Sequence, residues 1–269
     1  MGHHTALWQG LAIRLARCAL RYCLYLCLLL SALTRPVYSA DTLRIAVASN
    51  FSATMNALAT AYRDGGGSRL ELVFGSSGAL YAQVVNGAPF QALFSADRDI
   101  PEKLVAEGLA LSNSRFTYAS GTLVLWSSKR ELVNRGEAAL TSGKYNKLAL
   151  ANPALAPYGA AAVEVLRNLH LEQRTRSKWV LGENIAQTFQ FVDSGNADLG
   201  FVALAQVMAL DKKSPGVVWH IPQSMYHPLR QDAVILKCSP CAAEQRFFAF
   251  MKSAEAKKII QSYGYLVEP

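Results

Sequence analysis

The strongest constraint in this chain is a pattern that occurs four times: an apolar run, a few small or polar residues, then a helical period. It first appears at Leu43–Met55, LRIAVASNFSATM. LRIAVA is apolar at nearly every position and predicts a buried strand. SATMNALATAYRD predicts a helix with Met55, Leu58, Ala59 and Tyr62 on one face. Ser49, Asn50 and Ser52, at the turn, are all residue types that cap helices. The pattern returns at VFGSSGAL, ALANPALAPYGAA and VLGENIAQTF. A helix start leaves backbone N–H groups unpaired and carries the positive end of the helix dipole, so a strand ending there can hold an anion. One such junction is an ordinary cap. Four of them matter, because α/β sheets bind ligands at the carboxyl ends of strands, where helix starts converge.

The remaining segments fit the same alternation. ELVFG, ALFSA, KLALAN, KWVLGE, ADLGFVAL, VVWHIP and QDAVILK read as strands. ALYAQVVNG and DIPEKLVAEG read as helices stopped by Gly87 and Gly108, and AAAVEVLRNL, NIAQTFQFVDSG and AQVMAL as further helices. CAAEQRFFAFMKSAEAKKIIQSYG predicts one or two closing helices. PALAPYG reads as a loop, and Gly75 and Gly78 are expected where the turn around Ser76 and Ser77 needs freedom in φ. The result is an α/β chain with helices covering parallel or mixed sheets. RFTYASGTLVLWS is long enough to pass from one domain to a second, and Pro222–Pro228, PQSMYHP, is the expected return.

The first forty residues stand apart. Arg14, Arg17 and Arg21 precede the apolar run Cys23–Leu33 and the exit Val37-Tyr38-Ser39-Ala40, the order of a secretory signal. The run is shorter than the roughly 20 apolar residues of a membrane span. Cleavage is expected after Ser39 or Ala40, and no cysteine follows in a lipoprotein context, so a soluble exported protein is expected. Four of the 27 Lys and Arg, Arg35 included, lie in this segment. That leaves 23 bases against 19 acids, a net of +4. These bases are scattered, which argues against nucleic acid as a partner and slightly favours an anionic one. Three of the five cysteines leave with the segment. Cys238 and Cys241 remain, without a second CxxC or a nearby His, so zinc is not expected; a short local disulfide is the default, with a free dithiol as the alternative.

IAVASNFS, VFGSSGALYAQVVNGAPF, LFSAD, NPALAPYGAAA, GENIAQTFQFVDSGNADLGFVAL and YHPLRQDAVIL, in this order, closely resemble the periplasmic molybdate-binding proteins of ABC transporters. The resemblance covers nearly all of residues 41–269. It implies a type 2 periplasmic-binding fold of two α/β lobes, each a mixed sheet flanked by helices, joined by two crossing segments. On that basis residues 41–118 and 229–269 form lobe I and residues 119–228 form lobe II. It further implies that Ser49 and Ser77 bind the oxyanion through side chain and amide, and that Asn50, Tyr158 and Ile185 give backbone N–H groups. The only metal expected is the molybdenum of that oxyanion, with tungstate as a near equivalent, and no cofactor. Delivery to a membrane permease, a monomer and a periplasmic location are also implied. One departure stands out: another branch of the family has a donor tyrosine where this chain has Ala203.

Every donor in this set is neutral, which suits a fully deprotonated dianion in a dry cleft. Phosphate keeps a proton on part of its population and wants an acceptor, and none of these positions is an acid. Sulfate is separated from molybdate only by size. An enzyme on the same fold would need an activated nucleophile, and no His or carboxylate stands beside the serines by motif. Glu183 is expected to be a solvated helix-start acid, Asp97 a cap, and His220 with His227 too few for a metal. Gln231 and Asp232 are expected to hydrogen-bond the second crossing segment.

Overall fold

The computed structural model of the chain describes residues 42–129, 136–210, 216–238 and 241–267; the export segment expected at 1–40 lies outside them. Two five-stranded mixed sheets form. The first contains β1 (Leu43–Ala48), β2 (Leu70–Gly75), β3 (Ala92–Phe94), β4 (Phe116–Gly121) and β10 (Leu229–Ile235), in the order β2-β1-β3-β10-β4. The second contains β5 (Leu123–Ser127), β6 (Leu148–Ala151), β7 (Trp179–Gly182), β8 (Leu199–Ala203) and β9 (Val217–His220), in the order β7-β6-β8-β5-β9. The two share one plan. Three neighbouring strands run parallel, and a strand arriving from the other lobe pairs antiparallel with them: β10 on β3, and β5 on β8.

Parallel strands buried on both faces should read as continuous apolar runs, and LRIAVA does. Along β1, Leu43, Ile45 and Val47 enter one core with Phe51, Met55 and Phe247, while Ala46 enters another with Leu80, Leu93 and Val234. β5 divides the same way, with Leu123 and Leu125 on one face and Val124 and Trp126 on the other. Helix α1 (Ser52–Asp64) buries Thr54, Met55, Leu58 and Tyr62, the expected stripe with Thr54 added and Ala59 left half-buried. Helices α2 (Ser77–Val85), α3 (Asp99–Ala106), α4 (Glu137–Thr141), α5 (Pro157–Asn168), α6 (Glu172–Thr175), α7 (Ile185–Asp193) and α8 (Leu204–Met208) follow in order. The C-terminal segment is two helices, α9 (Ala242–Met251) and α10 (Ala254–Ser262), and the Ser253 hydroxyl between them caps α10 by accepting from the Ala256 amide at 3.2 Å. Cys238 and Cys241 are joined in a disulfide.

The long extended segment is two strands in different sheets. β4 keeps pairing with β10 past a bulge at Gln231/Asp232, as far as Gly121 opposite Leu229. The passage therefore falls at Thr122, and residues 119–121 stay in the first sheet instead of the second lobe. The segment of residues 221–228 joins β9 to β10. It is tied to its surroundings: the Leu123 amide donates to Tyr226 Oη at 3.1 Å, Asn168 Nδ2 to the Met225 carbonyl at 2.9 Å, and the His227 amide to Glu164 Oε2 at 2.7 Å.

Candidate functional site

β1 delivers the chain to a single 3-10 turn, Ser49–Phe51, before α1 begins. The expected capping by Ser49, Asn50 or Ser52 does not occur, because α1 has no side-chain cap. Ser49 Oγ instead reaches the other lobe and donates to Asn184 Oδ1 at 3.2 Å. The Asn50 side chain turns into the first lobe, where Nδ2 donates to Gln231 Oε1 at 2.9 Å and to Tyr265 Oη at 3.1 Å. Its peptide stays at the turn.

β2 delivers the chain to α2. Ser77 is the first residue of that helix, and its Oγ accepts from the Ala96 amide at 2.9 Å. Since that bond uses a lone pair, the hydroxyl proton is left to point elsewhere. The Gly78 amide donates to the Leu155 carbonyl at 2.9 Å, a backbone bond between the lobes. A Cβ on Gly78 would sit 3.1 Å from that carbonyl, whereas neither Gly75 nor Gly78 has a positive φ. Gly78 is therefore explained by close approach across the cleft and not by turn geometry.

In the second lobe β6 leads to α5, which starts earlier than expected. Pro157 is its first residue, so Tyr158 and Gly159 belong to the first turn and not to a loop. Pro157 has no N–H, and the amides of Gly159 and Ala160 donate to the Ala156 carbonyl. The Tyr158 amide is the one in that turn left for the cleft. β7 leads to α7, where Asn184 Oδ1 accepts from the amides of Ala186 and Gln187 at 2.9 and 3.1 Å, and the Asn184 carbonyl takes that of Thr188. That leaves Ile185. Its carbonyl is held by Gln206 Nε2 at 3.0 Å, and Gln206 Oε1 accepts from the Ala203 amide at 3.0 Å. Ala203 thus lies at the start of α8, bracing this turn from behind.

Ser49, Asn50, Ser77, Tyr158 and Ile185 are each at most 3% exposed, and they meet around one tight cavity of about 10 Å³, room for a single water-sized sphere. Its other lining residues are Ala48, Gly75, Ser76, Ala96, Ala156 and Pro157, so no charged side chain faces it. The four junctions contribute to a single space lined by hydroxyls and helix-start amides, the donor types that a compact anion calls for. The surrounding phenols stay neutral, because burial raises Tyr118, Tyr158 and Tyr265 far above the usual tyrosine range.

The residues set aside in the sequence fall elsewhere. Glu183 is exposed, and its amide donates to Gln187 Oε1 at 2.7 Å. Asp97 is not the N-cap of α3, which is Arg98, but lies one residue before it, its Oδ1 accepting from the Ile100 amide at 3.0 Å; burial raises its carboxyl, against the pull of that bond. His227 Nδ1 pairs with Glu164 Oε2 at 3.0 Å, and among the described residues no cluster of His, Cys, Asp or Glu could hold a metal. Gln231 and Asp232 do not bond the second crossing. Both project from β10 into the body of the fold, Gln231 to Asn50, Tyr118 and Tyr158, and Asp232 to Thr117 Oγ1 at 2.6 Å and Arg115 at 3.1 Å. Asn184 and Gln206, which brace the second-lobe turn, are absent from the sequence-based set. For Asn184 a signal was present, an Asn directly before a helical period.

Residues 43–266 match the model of the bacterial extracellular solute-binding protein family. The chain is 46% identical over 227 residues to the molybdate-binding protein ModA of Azotobacter vinelandii, spanning 84% of this chain and 90% of that protein. It is 41% identical over 224 residues to ModA of Rhodobacter capsulatus, spanning 83% and 87%. The solved structure of the Azotobacter vinelandii periplasmic molybdate-binding protein superposes with a TM-score of 0.81 at 40% identity, over 84% of this chain and 100% of that one. A periplasmic thiamin-binding protein, at 14% identity and a TM-score of 0.70, shares the fold alone. With this sequence similarity carried on the same two-lobed fold, the chain belongs to the bacterial extracellular solute-binding proteins, in the branch of the periplasmic molybdate-binding proteins.

Proposed function

We propose that this protein captures molybdate, and tungstate with it, in the cavity between its lobes. The observation that carries the reading is the convergence of four strand–helix junctions on one small space without a charged side chain. Ser49 and Ser77 donate through hydroxyl and amide, and Asn50, Tyr158 and Ile185 through the amide alone. A dianion taken out of water loses many hydrogen bonds, and a cage of fixed neutral donors replaces them without bringing a counter-charge that would have to be desolvated as well. A doubly charged tetrahedral oxyanion suits the donor set. No carboxylate is offered to accept the proton of an ion such as hydrogen phosphate.

The lobes swing about Thr122 and residues 221–228, and the ion favours the closed form. The loaded monomer hands its cargo to a membrane permease whose ATP-hydrolysing subunit is a separate chain. Residues 1–40 direct export to the periplasm and are removed. Nothing in the proposed action calls for a cofactor or for catalysis.

A thermal-shift panel tests the reading, since a ligand that binds only the native state stabilises by about 2.7 kcal/mol at a hundred times its Kd. Molybdate and tungstate are expected to raise the melting temperature of residues 41–269, while sulfate, phosphate and small carboxylates have little effect. A shift with sulfate or a carboxylate but none with molybdate overturns it.

A further inference from the structure

We infer that the phenol of Tyr158 is a positioning element that couples ion capture to lobe closure, by seating in a receiver built by the first lobe around Gln231. The inference rests on the reading of the Tyr158 amide as a donor to the ion. The residue has two ends with different tasks. Its backbone sits in the first turn of α5 and lines the cavity, while its side chain leaves the cavity and enters the other lobe.

The receiver is organised before Tyr158 arrives. Gln231 Oε1 accepts from Asn50 Nδ2 at 2.9 Å, which fixes which way the amide faces, and it lies 3.0 Å from Tyr118 Oη, whose one proton is shared between it and the Ser95 carbonyl at 2.9 Å. Tyr265 Oη holds Asn50 from the other side, donating to its carbonyl at 2.8 Å. All of these groups belong to the first lobe. With them in place, Gln231 Nε2 has an N–H directed across the cleft, and it donates to Tyr158 Oη at 3.2 Å.

Gly121 keeps the slot open. A Cβ at that position would run into Tyr158 Oη and stand 2.5 Å from Gln231 Nε2. Its φ is not in the left-handed region, so the backbone makes no demand for glycine there; the phenol does. The slot also lies at the end of β4, one residue before the passage at Thr122.

Opening the lobes separates Tyr158 Oη from Gln231 Nε2, and closing them restores the pair while setting the Tyr158 amide against the ion. Replacing Tyr158 by Phe removes only the oxygen and leaves the backbone donor and the aromatic packing. Molybdate binding followed by calorimetry and stopped-flow tests this. Tyr158→Phe is expected to bind about fivefold more weakly, the scale of one hydrogen bond, through faster release with association little changed. In a Gln231→Met background the same substitution is expected to cost clearly less, because the Gln231 partner is gone and only the contacts of the phenol with Asn50 and Tyr265 remain. Unchanged affinity and release in Tyr158→Phe, or an equal loss in both backgrounds, overturns the coupling. Should Gln231→Met not fold, as judged by its melting curve without ion, the release rate of Tyr158→Phe decides alone. Ser77→Ala is measured alongside: if it too leaves affinity unchanged, the assignment of the ion site itself fails.

Discussion

The two lobes reach the same cavity by different chemistry. The first brings hydroxyl side chains, Ser49 on a 3-10 turn and Ser77 at a helix start. The second brings only peptide groups, at the starts of α5 and α7, and spends its side chains on holding those peptides still. Pro157 removes a competing N–H, Asn184 consumes two more, and Gln206 fixes the Ile185 carbonyl. A hydroxyl can be deleted by one substitution. A peptide N–H cannot, so the second lobe is open to attack only through its braces.

The largest expected effect therefore lies in the first lobe, and it separates the two serines. Ser77→Ala should weaken molybdate binding by about 1–3 kcal/mol, the range for leaving a charged acceptor short of a donor. Ser49→Ala should cost less, because the Ser49 proton is already directed at Asn184 and has to be withdrawn before it can serve an ion. Calorimetry on both variants decides. Equal losses would mean that the Asn184 contact does not compete with the ion.

Next in size is the second-lobe brace. Asn184→Ala removes the only side-chain cap of α7 and the interlobe bond from Ser49 together. Loss of the cap should lower ion-free stability by about 1 kcal/mol in urea unfolding. Affinity should also fall, although Asn184 itself is not proposed to touch the ion. If stability drops while affinity holds, the Ile185 peptide does not depend on its cap, and the contrast between the lobes is overstated.

A smaller effect concerns pH. Tyr118, Tyr158 and Tyr265 titrate far above 10 in the folded protein, because burial disfavours the phenolate, whereas they ionise near 10 when unfolded. Folding thus favours the protonated form. The contribution to stability is complete below pH 10 and declines above it, as the unfolded chain releases protons that the folded chain keeps. Melting temperature followed from pH 8 to 11 should show this fall. Affinity should stay level between pH 6 and 9, since no proposed donor titrates there.

How much of this was legible follows the same division. The apolar runs and their polar endings located the strands, the junctions and both serines, because a buried strand and a hydroxyl at its end leave a mark in residue type. The proposed peptide donors at Tyr158 and Ile185 show in the sequence only as backbone near two junctions and rest on the resemblance for their roles, as backbone contacts leave almost no trace in sequence. Long-range partners were harder still. That Gln231 meets Asn50, Tyr118 and Tyr158 depends on β10 returning between β3 and β4, 181 residues beyond Asn50. The start of α5 was misread for a local reason: Ala-Pro-Tyr-Gly looks like a loop, yet proline suits the first turn of a helix and Gly159 is there because α5 packs so closely on the Ala151 carbonyl.

Salt should give the smallest effect, and it bears on both lobes at once. At 0.1 M the screening length is about 10 Å, and at 1 M about 3 Å, so attraction between an ion and exposed lysines or arginines collapses over that range. Hydrogen bonds from buried hydroxyls and peptides act at contact distance inside a space that excludes mobile ions. The scattered net charge of +4 in residues 41–269 adds only a weak pull on an approaching anion. Raising chloride from 0.05 to 0.5 M should accordingly slow association somewhat and leave release almost unchanged, shifting Kd by no more than about threefold. A loss of ten- to a hundredfold would place cationic side chains against the ion, and neither lobe offers one among the residues that line the cavity.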